Sequence, residues 1–377
     1  MRSRSFFLFF LSGLFALATI SCQKEQGCTD PNASNYDPNA EEDDGSCKYD
    51  NSNDKLSVPS TYNFDNVDYS GQTYRIELLD RLVKKIGEAE SVNNVTQQEC
   101  LDIFRNNGVL SSTSKKLSNK TYPGDTSMFI NWFQEVETYS GNSSNVIGGY
   151  FVNADSVELK QVVEKGLMGA CFYWQATDKY LEDLGLDDNQ NVVSGQGTER
   201  AHHFDEGFGY FGAPKDFSAS SPAEMGNSYT DEAWFWGKYC IEMDGALDNL
   251  NTIFDAFLEG RTAIVNGESS KRQNAVNTIE QEWEKICAAS LVHYIKETKA
   301  DIQNNDTASM IHHWSEGFGF HLSLKYNTDR IISMNDWNSV GNKLGSKPNE
   351  TSISKLDSAL TKLQNVYGFT SGEMQNL

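Results

Sequence analysis

The sequence predicts an all-α protein, an internally duplicated helical bundle with pseudo-two-fold symmetry, set behind a signal peptide and a linker module. Three observations predict it. Apolar residues recur at helical rather than strand spacing through most of the chain. Only 7 prolines interrupt 377 residues. An H-H-x-x-E-G-F-G segment occurs twice, at 202–209 and at 312–319. Aromatic residues make up 12% of the chain, enough to build a core and to exclude disorder throughout.

The chain opens on an address. Arg2 and Arg4 precede an apolar stretch from Phe6 to Ile20, too short to span a membrane but suited to a signal-peptide core over residues 1–21. It ends in L-A-T-I-S-C, which resembles a bacterial lipobox with Thr19 at the usual Leu position. That resemblance implies that Cys22 is lipidated and holds the protein to a membrane. Gln23, Lys24 and Glu25 look like the surface-export tag of some Gram-negative lipoproteins. The expected location is the outer membrane, at the cell surface or on the periplasmic face.

Residues 22–57 read as a linker, poor in apolar side chains and rich in Asp, Asn, Ser and Pro. Within it, Gly27 to Tyr49 resembles a short module common in secreted and surface proteins of some Gram-negative bacteria. Cys28 and Cys47 are expected to close a disulfide loop in an oxidising compartment. Asp30, Asp37, Asp43 and Asp44 supply hard oxygen ligands suited to calcium. The same acids would equally build solvated turns.

Residues 58–377 form the helical body, with halves of about 58–230 and 231–377. Ile76, Leu78, Leu79, Leu82, Val83 and Ile86 define an early helix. Others are predicted near 154–184, 231–264, 307–325 and 350–366. The clearest stripe runs through Ala275, Ile279, Trp283, Ile286, Cys287, Ser290, Leu291, Tyr294 and Ile295. The duplication shows when Glu164-Lys165 and the residues after it are laid on Glu284-Lys285 and theirs. In both stretches the H-H segment follows after a loop.

His203 and Glu206 lie three apart, on one helix face, and His313 and Glu316 repeat the relation. Should the two copies face each other, two nitrogens and two carboxylates could converge, a donor set suited to Fe, Zn or Mn. It echoes the Glu-x-x-His pairs of di-iron bundles in reverse order. His202 and His312 point away and would hydrogen-bond the ligating carboxylates from behind. The competing reading is a metal-free hydrogen-bond network at the helix seam. In that reading Gly207, Gly209, Gly317 and Gly319 permit close helix contact, with Phe208, Tyr210, Phe318 and Phe320 packed around it.

Catalytic signatures are missing: the sequence has no H-E-x-x-H, H-x-x-E-H, G-x-S-x-G, Walker loop or dinucleotide fingerprint. Cys100, Cys171, Cys240 and Cys287 lie in apolar runs and read as buried thiols. Trp234 and Trp236 read as core, and Lys179 and Lys299 as helix-surface lysines. With 31 basic against 53 acidic residues, the net charge of -22 excludes nucleic acid as a partner and favours cations or cationic ligands. No protein partner can be read from the sequence.

H-H-F-D-E-G-F-G-Y-F-G (202–212), F-W-G-K-Y-C (235–240), D-A-F-L-E-G-R-T-A-I (255–264) and S-L-K-Y-N (323–327) resemble an uncharacterised lipoprotein family, labelled only as a domain of unknown function. More distantly, the chain is similar to the imelysin group, exported helical proteins with two bundle halves and a G-x-H-x-x-E motif. That group is linked to iron handling and some of its members are classed as metallopeptidases. The motif falls on His203 with Glu206 and on His313 with Glu316, while Ala201 and Ile311 stand where the group has glycine. The resulting expectation is a lipid-anchored protein that binds a metal ion, or a metal-containing ligand, at the bundle seam. An imelysin-like metallopeptidase and a metal-free structural or adhesion lipoprotein are the alternatives.

Overall fold

The computed structural model describes residues 24–30, 33, 35–47, 55–226 and 228–377. The signal peptide, Cys22 and Gln23 lie outside the described residues. The chain divides at Lys55 and Leu56 into two compact units.

In the first unit, β1 (Gln26–Gly27) pairs in parallel with β2 (Glu42–Asp43), and Cys28 and Cys47 form the expected disulfide. Asp37, Asp43 and Asp44 turn their oxygens onto nearby backbone. Asp37 accepts from Asn39 N, Asp43 from Gly45 N and Asp44 from Ser46 N, at 2.8–3.1 Å. These are side-chain-closed turns of the kind Asp favours.

The second unit is helical, with twelve α-helices among the described residues. The early helix is α1 (Ser70–Gly87), followed by α2 (Gln97–Phe104) and α3 (Thr126–Tyr139). Thr96 and Glu99 close a capping box on α2, satisfying two backbone N–H groups that the first turn leaves unpaired. A small hairpin comes next, β3 (Val146–Ile147) with β4 (Tyr150–Phe151), turning on Gly148 and Gly149, both at positive φ.

The helix expected near 154–184 begins as α4 (Leu159–Leu167) and continues in wide π-helical turns, Met168–Tyr173 and Ala176–Leu181. Carbonyls in the first of these turns are taken from outside. Trp236 Nε1 donates to Met168 O at 2.9 Å, and Tyr122 N donates to Ala170 O at 2.7 Å. The first H-H segment lies on α5 (Glu199–Phe211), which starts on a Thr198 cap and stops at Gly212 in the left-handed region.

The single helix expected over 231–264 is two helices, α6 (Trp236–Leu247) and α7 (Leu250–Val265). The break falls at Asp248, whose φ of 51° ends α6 before the apolar face of α7 begins. The Trp283 stripe lies on α8 (Ser269–Asn304), where all its named members are buried except half-buried Tyr294. The second H-H segment lies on α9 (Thr307–Ser323), and α10 (Met334–Leu344), α11 (Ile353–Tyr367) and α12 (Ser371–Asn376) complete the body.

α8 packs along α7 and α9, and α9 also packs on α4. α5 packs instead on the Ala176–Leu181 turns, α1 and α7. The motif glycines sit at these contacts. A Cβ on Gly209 would lie 2.6 Å from Tyr69 Cβ, and one on Gly319 would lie 2.5 Å from Lys165 Cβ. Each costs its own helix about 1 kcal/mol relative to alanine, which the close approach offsets. Gly209→Ala and Gly319→Ala should therefore each destabilise the body by about 1–3 kcal/mol in urea unfolding. Gly245→Ala, exposed on α6 with no neighbour near its Cβ, should be neutral or stabilising by up to about 1 kcal/mol.

Candidate functional site

The two motif helices carry their polar side chains into separate neighbourhoods. On α9, the hairpin brings Tyr150 flat against His312, with ring centroids 4.4 Å apart. The imidazole is held between two acids: Nδ1 is 2.6 Å from Glu158 Oε2, and Nε2 is 3.4 Å from Glu316 Oε2. Glu158 is wholly buried just before α4, and its backbone N donates to Ser315 Oγ. Lys165, 2% exposed, pairs with Glu164 and lies 3.5 Å from Glu316. Its ammonium also sits over the Tyr239 ring, and Tyr239 and Tyr294 bring their hydroxyls within 3.3 Å.

These surroundings set the charges. Burial works against the Lys165 charge, but Glu164 and Glu316 outweigh it and raise its pKa, holding the ammonium charged. Burial likewise works against His312⁺, while the Glu158 hydrogen bond and the charges of Glu316 and Glu158 raise its pKa above 6.5. Lys160, which opposes that rise, is itself tied to Glu90 and Glu158.

On α5 the Glu206 carboxylate accepts from Gln72 Nε2 at 2.7 Å and stands against the Tyr180 hydroxyl, which accepts from Lys120. Gln72 belongs to the helix that Gly209 touches, as Lys165 belongs to the helix that Gly319 touches. The remaining histidines follow one pattern. His203 Nδ1 lies 2.8 Å from Asp187, and His313 Nδ1 lies 2.7 Å from Asp301. His202 differs from His312: its Nδ1 is buried without a hydrogen-bond partner.

His203 and Glu206 thus meet one set of neighbours, and His313 and Glu316 another. Among the described residues no three His, Cys, Asp or Glu side chains are placed to hold a metal ion, the module aspartates included. The four thiols Cys100, Cys171, Cys240 and Cys287 are free and buried, and burial pushes those of Cys100 and Cys171 up to about 12. Trp234 and Trp236 are core. Lys179 lies over the Trp174 ring and Lys299 pairs with Asp357.

The variable positions inside the motif also hold buried chemistry that the motif pattern does not reveal. Asp205, wholly buried, accepts from Arg261 Nε at 2.8 Å and from the Tyr62 hydroxyl at 2.7 Å. A signal was present: Arg261 stands in an otherwise apolar face of α7, where a guanidinium needs a buried partner. Ser315 fills the same position in the second copy and joins Glu158 N to Ile311 O. Glu158 and Lys165 carried a similar signal, as charges flanking and entering the apolar run of α4.

Fold and site together define an all-helical protein whose two motif helices are locked by buried ionic and hydrogen-bonded contacts. The chain belongs to the family described as domain of unknown function DUF4856, which matches residues 59–344. No curated protein and no solved structure matches it.

Removing Asp205 strands the Arg261 charge in the core, so Asp205→Ala should cost about 3–5 kcal/mol in urea unfolding. Ser315→Ala, which only frees one backbone N–H, should cost about 1–2 kcal/mol. The raised His312 pKa makes its contribution fully present below its unfolded value near 6.5 and lost as pH rises through the folded value. Melting curves taken across that window should show stability falling with pH, and His312→Gln should flatten this part of the dependence.

Proposed function

We propose that the chain is an exported, lipid-anchored binding protein of the outer membrane, and that its H-H-x-x-E-G-F-G helices are internal clamps. Export and anchoring rest on the L-A-T-I-S-C resemblance at Cys22, and one observation carries the clamp. The motif carboxylates and three of the four motif histidines each meet a partner within the chain: Asp187, Gln72, Glu158, Lys165 or Asp301. The Glu206 carboxylate accepts from Gln72 and Glu316 lies beside Lys165, so their oxygens are engaged within the chain and not held toward a substrate. The reading therefore leans away from catalysis. Its strongly acidic surface suits a cationic partner.

A second reading keeps the metal. Tying Nδ1 of His203 and His313 to an aspartate is how metal-binding imidazoles are oriented, with Nε2 left to face the ion. The resemblance to the imelysin group points the same way, toward iron, zinc or manganese. Glu206 and Glu316 face other partners, however, so these residues as they stand do not complete a coordination shell. Further donors would have to come from the ligand, as in a metal-containing small molecule.

Elemental analysis of the purified chain, wild type against His203→Ala/His313→Ala, separates the two. Under the clamp reading the double variant unfolds at lower urea, by about 2–5 kcal/mol for two charge-assisted contacts. Metal content is then negligible in both proteins, and chelator leaves melting unchanged. Near-stoichiometric metal in the wild type, lost from a variant that still folds, would replace the clamp with a metal site.

A further inference from the structure

Away from the motif contacts, the C-terminal part of α9, α10 and the segment leading to α11 enclose a cleft of about 580 Å³. That volume is in the range of small-molecule sites. Its apolar wall is Phe318, Leu322 and Trp337, and its polar wall is the α10 face bearing Asn338 and Asn342. These amides lie four apart and so project from one side of the helix. Asn338 spends one N–H on Met334 O, which leaves its carbonyl and second N–H, while the exposed Asn342 side chain makes no hydrogen bond among the described residues.

His321 lines the cleft at 3% exposure. It is stacked on Trp337 with centroids 4.5 Å apart, and the Trp337 indole N–H donates to the His321 carbonyl at 2.7 Å. Gly341 is what lets the imidazole lie so close to α10, since a Cβ there would fall 2.6 Å from Nε2. The His321 Nδ1 has no partner. Burial lowers its pKa to about 3, so the ring stays uncharged at working pH.

The rim charges are answered locally. Glu350 accepts from Ser346 N and Oγ at 2.8 and 3.0 Å, and the Lys355 ammonium donates to the Glu350 carbonyl. Glu350 and Lys355 both line the cleft with opposite charge, so the lining carries no net charge to select an ion. What remains is an apolar wall opposite amides that both donate and accept, the inventory that hydroxyl groups require.

We propose that this cleft binds a neutral saccharide, one pyranose ring with its C–H face on Phe318 and its hydroxyls on Asn338 and Asn342. Glu350 and Lys355 offset each other, so a charged sugar would pay for desolvation with no net countercharge to meet it, whereas a neutral ring loses only water-exchangeable hydrogen bonds. The site is independent of the motif clamps.

Calorimetric titration of the full chain with glucose, galactose, mannose and N-acetylglucosamine, alongside glucuronate and glucosamine, tests it. At least one neutral sugar should bind with a micromolar to millimolar Kd, and more tightly than the two charged sugars. Asn342→Ala, at an exposed position that leaves the core intact, should weaken that binding about tenfold. Phe318→Leu, which keeps apolar volume but removes the aromatic face, should weaken it by a similar factor. Affinity should be level between pH 5 and pH 8, because His321 does not titrate there. The His203→Ala/His313→Ala variant, if folded, should bind sugar normally, and Asn342→Ala should leave metal content unchanged. Absence of binding by all neutral sugars overturns the proposal. Preference for a charged sugar, or binding that survives both cleft variants, overturns it equally.

Discussion

The close approach of α9 to α4 is the constraint on which the rest of the helical body turns. Gly319 and Gly169 bring no side chain of their own, so Lys165 Cβ and Ser323 Cβ occupy the space a Cβ there would need, and Ser323 Oγ reaches across to donate to Lys165 O at 2.7 Å. Backbones brought this near trap whatever polar groups flank the contact. Lys165 is left almost without solvent, and an ammonium in that position is tolerable only with carboxylates beside it. Glu164 and Glu316 supply them. Glu316 in turn draws His312, His312 draws Glu158, and Glu158 lies against the base of α9 through Ser315. One steric allowance thus propagates into a chain of electrostatic requirements.

The contact of α5 with α1 follows the same logic with different chemistry. Gly209 admits α1, and Gln72 meets Glu206 where Lys165 meets Glu316. A neutral amide replaces the ammonium, so less charge has to be balanced there. The charge beside this motif sits one residue away, in the Asp205–Arg261–Tyr62 cluster that ties α5 to α7 and to the segment before α1. Two segments nearly identical in sequence therefore anchor their helices through different residues, and the variable positions between the shared ones carry the difference.

The cleft beside α10 is built on opposite terms. There the buried titratable group, His321, is met by an aromatic ring and a glycine instead of a countercharge, and burial keeps it neutral. The motif contacts fill their space with ionic partners and leave little to offer a ligand. The cleft leaves amide groups unspent. α9 lends Phe318, His321 and Leu322 to the cleft, while the free amides stand on α10, away from the motif clamps.

Much of the fold was legible in the residues. The period of the Trp283 stripe determined that α8 is a helix and which side of it is buried, because burial of an apolar face is a one-dimensional pattern. Twin glycines within an aromatic segment likewise implied close helix contact. Two cysteines in a module expected in an oxidising compartment implied the Cys28–Cys47 disulfide. The tertiary structure alone decided where the motif side chains point and whom they meet. Spacing of three places His203 beside Glu206 on a helix face, yet Asp187 and Gln72 come from elsewhere in the chain and draw them to different partners. The break at Asp248 and the wide turns after Leu167 were equally hidden. Local sequence sets which helix face is apolar, but the partner of a polar group depends on which distant backbone the packing brings within hydrogen-bonding reach.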